Sequence, residues 1–214
     1  FVADGGEAAS SPQDAAEGAE VVITIVTDSP DVQAVVLGEG GVINGMSSGS
    51  VLIDMSTISP EVTREIGATL GEHGVQMLDA PVSGGVLGAQ NAALSIMVGG
   101  PTDAFERVTP LFEAMGQRIT YCGGPGMGQV TKLVNQVIVA GTMAAVSEGL
   151  LFGAAAGVGR DARPGRSQHL VDRLFGAPPR HVPPRDLDDG PRARGERARE
   201  GAEALVDLSP VPSF

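Results

Sequence analysis

The chain has 214 residues, of which 42% are hydrophobic, so it is long enough to bury at least one core. Its formal net charge of -12 argues against nucleic acid or an anionic membrane as a partner, because a surface of that sign repels phosphate. No uninterrupted apolar run approaches the roughly 18 residues that span a bilayer. The single cysteine, Cys122, excludes an intrachain disulfide and favours a reduced thiol, so we expect a cytoplasmic protein.

Two β-branched runs near the start indicate parallel strands that are buried on both faces. The first covers residues 20–26 and ends in a Thr-Asp-Ser-Pro turn, and the second covers residues 50–54. A helix fits residues 31–37 between them. After the second strand, Ser59 is a capping residue, Pro60 suits the first helical position and Glu61 favours the positive end of the dipole. This pattern predicts a helix to about residue 74.

The alternation continues to about residue 160. Strands are predicted at residues 75–78, 94–98 and 118–122, a helix at 101–115, and a long, mostly buried helix from 127 to about 157. These elements predict an α/β fold in which an incomplete Rossmann-type parallel sheet is followed by the long helix. Ligands of such sheets bind beyond the carboxyl ends of the strands, which here are residues 27–30, 55–60, 79–85 and 123–128.

The composition changes abruptly after residue 160. Residues 161–214 hold nine of the 14 basic residues and eight of the 15 prolines, whereas residues 1–160 hold 5 basic and 17 acidic residues and so carry the whole net charge. Because prolines break helices and remove backbone donors, we expect a largely disordered tail with a frayed helix near 194–208. The predicted domains are residues 1–125, the long helix at 126–160 and the tail at 161–214.

Lys132 is the only lysine in the chain, and it lies near the start of the long helix behind a Gly-x-Gly turn. Asn135 follows at i+3, on the same helical face. A lysine in a partly desolvated cleft can give a proton to a carbonyl oxygen during reduction, and an asparagine amide can fix that oxygen in place. The alternative is a lysine that extends along the helix start to reach water.

The segment Asp-Ala-Pro-Val-Ser-Gly-Gly at residues 79–85 predicts a tight loop at the ligand edge of the sheet. Its glycines allow close backbone approach, and successive N–H groups with the Ser83 hydroxyl can hold a carboxylate. Taken alone, the segment is equally compatible with an ordinary turn. Thr57 is a candidate hydroxyl partner for a nicotinamide, although it also fits the entry to the following helix.

Taken together, these motifs resemble the β-hydroxyacid dehydrogenase family, which includes 3-hydroxyisobutyrate dehydrogenase and tartronate semialdehyde reductase. The resemblance covers residues 5–161 and rests on Asp-Met-Ser-Thr at 54–57, on residues 79–85, and on Gly-x-Gly-x-x-x-Lys-x-x-Asn at 126–135. The Asn-Gln pair at 135–136 and the downstream Glu148 are most similar to the tartronate semialdehyde branch. The resemblance implies reduction of that small semialdehyde to a 3-hydroxy acid, with NAD or NADP as cofactor.

The family pattern also implies a role for individual residues. Lys132 matches the catalytic lysine. The substrate-binding positions are Ser83, Gly84, Gly85 and Asn135. The positions that contact the cofactor are Val26, Thr27, Asp31 and Thr57, of which Asp31 departs from the small polar amide usual there. The resemblance implies a homo-oligomer with a small hydroxy acid or semialdehyde as its ligand and no metal.

Two parts of the family pattern are not found in the sequence. The first βαβ unit, with its glycine fingerprint, would precede Phe1, and nothing after residue 163 resembles the helical domain that supplies a second lysine. We therefore expect little or no dehydrogenase activity, an unpaired sheet edge, and a reading-frame shift near residues 160–165. The alternatives are a 3-hydroxyisobutyrate dehydrogenase, a non-catalytic oligomerisation or binding module, and an imine reductase, against which Lys132 counts.

Overall fold

The computed structural model describes residues 2–157 and the two-residue strand at 205–206. The described residues fall into two units, one formed by residues 2–135 with 205–206 and the other by residues 136–157. The expected disorder of the tail lies outside the described residues. Leu205–Val206 is a strand where the sequence predicted a frayed helix, so that prediction is wrong at these two residues.

Strands and helices alternate as the sequence predicted. The helices are α1 (Pro12–Ala16), α2 (Ser29–Leu37), α3 (Pro60–Glu72), α4 (Gly85–Gln90), α5 (Thr102–Met115) and α6 (Met127–Ala155). The strands are β1 (Val21–Thr24), β2 (Val51–Asp54), β3 (Gln76–Asp79), β4 (Val82–Ser83), β5 (Leu94–Gly99), β6 (Gly116–Gly123) and β7 (Leu205–Val206). The sequence reading missed the short elements α1, β4 and α4.

Side-chain caps fix where the predicted helices begin. The Ser59 hydroxyl accepts hydrogen bonds from the backbone N–H groups of Glu61 and Val62, with Pro60 in the first turn, which confirms the predicted start of α3. α2 begins two residues earlier than predicted, because the Asp28 carboxylate accepts a hydrogen bond from Ser29 N and caps the helix there. Both caps lie at the carboxyl edge of the sheet, so they set the path of the loops that form the site.

The sheet is mixed rather than wholly parallel. Its order is β4-β5-β3-β2-β1-β7, with β6 pairing with β5. β1, β2 and β3 are parallel, whereas β5 runs antiparallel to both β3 and β4. Only the short α4 joins β4 to β5, and a parallel crossover needs about a dozen or more residues, so the chain returns as a hairpin. The prediction of a parallel sheet is therefore correct for β1 to β3 and wrong at β5.

The core lies on both faces of this sheet. β2 is fully buried, and its alternating side chains divide between two apolar clusters. Leu52 packs with residues of α1, α2 and α3 on one face, while Val51 and Ile53 pack with residues of β5 and α5 on the other. Each such side chain contributes about 1.5–3 kcal/mol on burial. This three-layer packing holds the carboxyl ends of β1, β2 and β3 at one edge.

The long helix α6 is buried only near its start. In the described residues its buried positions are Gly128, Gln129 and Lys132, whereas Val137 and Phe152 are 73% and 77% exposed. The prediction of a mostly buried helix is therefore wrong for this part of the chain. By length and composition alone α6 could also cross a membrane, which corrects the expectation that no segment approaches that length. Apolar helices of soluble proteins meet the same criterion.

Candidate active site

Three polar side chains lie in a row at the carboxyl edge of the sheet. The strand register places Thr24 beside Asp54 and Asp54 beside Asp79, the last residues of β1, β2 and β3. Asp54 Oδ1 accepts hydrogen bonds from Thr24 Oγ1 at 2.9 Å and from Ser56 Oγ at 2.7 Å. Ser56 Oγ in turn accepts one from Val26 N at 2.9 Å. The loops that follow β1 and β2 are thereby joined through one buried carboxylate.

Asp54 is strongly buried for a carboxyl group. Burial raises the pKa of Asp54, and the hydrogen bonds from Ser56 and Thr24 offset this only in part. Its Oδ2 atom is buried and has no hydrogen-bond partner among the residues that the structure describes. The group therefore holds the two loops together while carrying an unfavourable desolvation cost.

The predicted cofactor residues lie on these two loops and the helix that follows the first. Val26 is half-buried, whereas Thr27, Asp31 and Thr57 are exposed. Thr57 stands between the buried Ser56 and Ile58, so its hydroxyl is available to a ligand. The structure brings Val26 and the Thr57 loop together through Ser56. Asp31 lies in the first turn of α2, where the Ser29 hydroxyl accepts a hydrogen bond from Ser59 N at 3.2 Å.

Ile25 is a site residue that the sequence reading missed. It follows β1 directly and is 42% exposed, which is unusual for a large apolar side chain at a strand end. An exposed apolar surface at this edge of the sheet can pack against a flat ring. The sequence signal was its place as the last-but-one residue of the predicted strand, where a ligand edge begins.

Asp79 fixes the start of α6, a role that sequence reasoning did not assign. Its Oδ1 accepts a hydrogen bond from Gly126 N at 2.8 Å and its Oδ2 accepts one from Gln129 N at 2.9 Å. A carboxylate is stabilised there by the positive end of the helix dipole. Burial raises the pKa of Asp79, and the hydrogen bonds from Gln129 and Gly126 lower it in part. Nothing in the sequence indicated that residues 79 and 126 meet.

Two glycines allow α6 to approach the sheet closely. A Cβ atom at Gly128 would lie 2.6 Å from the carbonyl oxygen of Asp79, and one at Gly99 would lie 2.6 Å from Gly128 N. Both contacts are with backbone atoms, which cannot move aside. The Gly-x-Gly turn is thus a helix entry that needs glycine for packing.

Lys132 lies against the loop that was predicted to bind substrate. Its Nζ donates a hydrogen bond to Val82 O at 2.6 Å, and the residue is only 8% exposed. Burial lowers the pKa of Lys132. Gly84 and Gly85 follow with φ values of 137° and 60°, a backbone conformation that favours glycine.

The structure thus brings the amine next to Ser83, Gly84 and Gly85. Asn135 is half-exposed and lies about one turn after Lys132 on α6. The amine and the glycine-lined loop therefore lie together at the carboxyl edge of the sheet, with Asn135 about one turn further along α6. This arrangement can hold a small anion and exchange a proton with it.

The fold and this edge are of the NAD-binding class, and two family descriptions match the chain. The NAD binding domain of 6-phosphogluconate dehydrogenase matches residues 1–124, and the NAD-binding region of NADP-dependent 3-hydroxyisobutyrate dehydrogenase matches residues 126–163. The chain belongs to the β-hydroxyacid dehydrogenase family. This confirms the family, the α/β fold class and NAD or NADP as the cofactor class.

Curated relatives and solved structures agree with this assignment. The chain is 48% identical over 141 residues to 2-hydroxy-3-oxopropionate reductase from Escherichia coli (strain K12), covering 66% of this chain and 48% of that protein. It is 42% identical over 158 residues to the NAD-dependent L-serine dehydrogenase of Pseudomonas aeruginosa, covering 74% and 53%. Mycobacterium tuberculosis 3-hydroxyisobutyrate dehydrogenase, solved with L-serine, is 32% identical with a TM-score of 0.66, covering 78% and 55%. The chain thus spans about half the length of these relatives.

The residues at the edge fit the nicotinamide end of such a cofactor. The exposed apolar surface of Ile25 and the exposed Thr57 hydroxyl lie on loops that Asp54 and Ser56 join. Among residues 2–157 no Gly-x-Gly-x-x-Gly turn follows a strand, so the described part of the chain offers no equivalent pyrophosphate cradle.

Because residues 126–163 match an NAD-binding region, α6 is accounted for by the family rather than by a membrane.

Proposed function

We propose that this site reduces a small semialdehyde to a 3-hydroxy acid with NADH or NADPH, with tartronate semialdehyde, giving glycerate, as the favoured substrate. The observation that carries the proposal is the buried Lys132 Nζ at 2.6 Å from Val82 O, next to Ser83–Gly85. The alternative substrate is methylmalonate semialdehyde, as in a 3-hydroxyisobutyrate dehydrogenase. The 48% identity to a 2-hydroxy-3-oxopropionate reductase supports the first choice.

In this mechanism Lys132 is the general acid. The nicotinamide, when bound, supplies a hydride to the carbonyl carbon. The Lys132 ammonium donates a proton to the carbonyl oxygen, so the C=O double bond becomes an alcohol and the amine is left neutral. In the oxidative direction the neutral amine takes the hydroxyl proton. The lowered pKa of Lys132 makes the ammonium a stronger acid than an ordinary lysine.

The other residues bind and orient. The Val82 carbonyl accepts a hydrogen bond from the ammonium and thereby fixes the direction of that group. The backbone N–H groups of residues 83–85 and the Ser83 hydroxyl would hold the substrate carboxylate, and Asn135 would orient the reacting oxygen. Val26, Thr27, Asp31 and Thr57 would contact the cofactor. Tartronate semialdehyde carries a hydroxyl group where methylmalonate semialdehyde carries a methyl group. A substrate pocket that forms a hydrogen bond with the hydroxyl would therefore select the first over the second.

We also propose that turnover by this chain is weak. Its proposed domains are residues 1–125, 126–160 and 161–214. The complete enzyme is proposed to be a homo-oligomer in the cytoplasm. Weak turnover follows from the lack of a pyrophosphate cradle among the described residues, because that cradle is the main anchor of a dinucleotide. The lone cysteine supports a reducing compartment.

The single lysine makes the proposal testable even when turnover is low. In full-length chain carrying ¹³Cε-lysine, the one lysine signal should shift when NAD⁺ and glycerate are added together, and less with 3-hydroxyisobutyrate. Lys132→Met should abolish any NADH oxidation with tartronate semialdehyde, whereas Arg118→Met, which removes an exposed charge on β6, should not. If the lysine signal does not shift with either acid and the chain binds no dinucleotide, the proposed function is contradicted.

A non-catalytic oligomerisation module is the second candidate, and the exposed apolar residues of α6 favour it. Val137, Ile138 and Leu151 are all more than half exposed within residues 136–157. Apolar side chains at this density commonly mark an interface. Sedimentation velocity with and without NADH separates the candidates. Concentration-dependent dimers that form without any dinucleotide binding would support the second.

A further inference from the structure

Gln129 is a fully buried polar side chain in the first turns of α6. Its Oε1 accepts a hydrogen bond from Ile58 N at 3.1 Å, and its Nε2 donates one to Ser56 O at 2.8 Å. One partner is a donor and the other an acceptor, so the amide can satisfy both in only one orientation. Burying an amide is unfavourable unless such bonds are made.

The two backbone partners of Gln129 flank Thr57. Ser56 lies before that residue and Ile58 after it, so the Gln129 amide forms hydrogen bonds with the loop backbone on both sides of the exposed hydroxyl. Lys132 follows Gln129 by three residues on the same helical face. A single side chain therefore connects the loop proposed to meet the nicotinamide with the helix that carries the amine.

The start of α6 does not depend on this side chain. The Asp79 carboxylate already binds the backbone N–H groups of Gly126 and Gln129. The Gln129 side-chain amide is thus available for the loop, and its loss should leave the helix in place. Because the start of α6 does not require the Gln129 amide, we attribute its burial to a role in the geometry of the site.

We propose that Gln129 is a positioning residue that holds the Thr57 loop in register with Lys132. This inference rests on the proposed function, because Thr57 and Lys132 are the groups whose relative position it sets. Without Gln129 the loop and the first turns of α6 separate more easily, and water reaches the amine. Gln129 itself touches neither substrate nor cofactor.

The test uses the full-length chain with Gln129→Met, which keeps the length of the side chain but makes neither hydrogen bond. Gln117→Met is the matched control, since Gln117 is exposed on β6. Three quantities are measured: the ¹³Cε titration of Lys132, hydrogen exchange of the Ile58 amide, and affinities for NADH and for ADP-ribose, which lacks the nicotinamide. Should the methionine variant fail to fold, Gln129→Asn replaces it, because its shorter amide cannot reach both partners.

In the Gln129 variant we expect faster exchange at Ile58, a rise in the pKa of Lys132 toward its ordinary value, and roughly tenfold weaker NADH binding with ADP-ribose unchanged. Gln117→Met should change none of these. An unchanged lysine titration despite faster exchange at Ile58 would overturn the proposal, as would equal losses for NADH and ADP-ribose. If the wild-type chain binds no dinucleotide, the proposed function fails, and the lysine titration alone decides the role of Gln129.

Discussion

Lys132 lies in an environment that is unusual for a lysine. It is nearly buried, and its ammonium is held by a carbonyl oxygen rather than by a carboxylate. Burial disfavours the charged form, which is why the pKa of Lys132 is lowered. In the proposed mechanism, the ammonium protons that Val82 does not bind would serve a substrate oxygen.

The pH dependence of the reaction should follow this pKa. Reduction needs the ammonium, so its rate should fall as pH rises through the lowered pKa of Lys132, and oxidation, which needs the neutral amine, should rise over the same range. The ¹³Cε signal of the lone lysine should titrate with a midpoint below 10.5, the ordinary lysine value. A midpoint at or above that value would show that the amine is hydrated, and would contradict the claim that burial lowers the pKa of Lys132.

Asp54 should make stability depend on pH in the opposite sense to most carboxylates. Its folded-state pKa is raised above 3.8, so its contribution is complete below that pH and is lost as pH rises through the folded pKa. Urea unfolding of Asp54→Asn across this range should lack that loss, because the amide has no charge to desolvate. Asp103→Asn serves as the contrast. The pKa of Asp103 is lowered, so its contribution appears as pH rises.

Residues differ in how far the sequence could assign them. Local motifs carry Lys132, Asn135 and the glycine-rich loop, so the sequence could single them out as candidates, and the structure places the lysine beside that loop. Asp79 and Gln129 were not, because their partners lie 47 to 73 residues away in the chain. Such contacts depend on which strand ends share an edge, and no local pattern encodes this.

At the scale of elements, the contact between α6 and the sheet should be sensitive to one methyl group. Gly128→Ala places a Cβ against the backbone of Asp79, and should lower the free energy of unfolding by about 1–3 kcal/mol. Gly141→Ala, in the same helix with nothing within 4 Å, should leave stability unchanged or raise it by about 0.4–1 kcal/mol. Chemical denaturation of both variants measures the difference, and equal effects would show that the close approach is relaxed in solution.

Element types were predicted better than their directions and surroundings. Caps and β-branched runs are local, so the starts of α3 and the strands β1 to β3 were found within a residue or two. The antiparallel direction of β5 was missed because two-residue periodicity is the same in either direction. The exposure of α6 was missed because an apolar sequence predicts a buried helix. Burial depends on which other elements pack against the helix, and the local sequence does not give this.

At the scale of the whole molecule, the edge of β1 is covered by a distant part of the chain. The sequence predicted an unpaired edge, but Leu205 and Val206 form β7 and pair in parallel with Ile23 and Thr24. An uncovered edge presents free N–H and C=O groups that can pair with another chain. We therefore expect the short β7 to hinder self-association through the β1 edge.

Removal of β7 should expose this edge and promote association. A chain ending after residue 204 should form larger species than the full-length chain at equal concentration, because the β1 backbone groups are freed. Sedimentation velocity and light scattering measure the change. A chain ending after residue 206 keeps β7 and should behave as the full-length chain. If both truncated chains remain equally dispersed, Leu205 and Val206 do not protect β1, and its edge must be blocked by its own twist and loops.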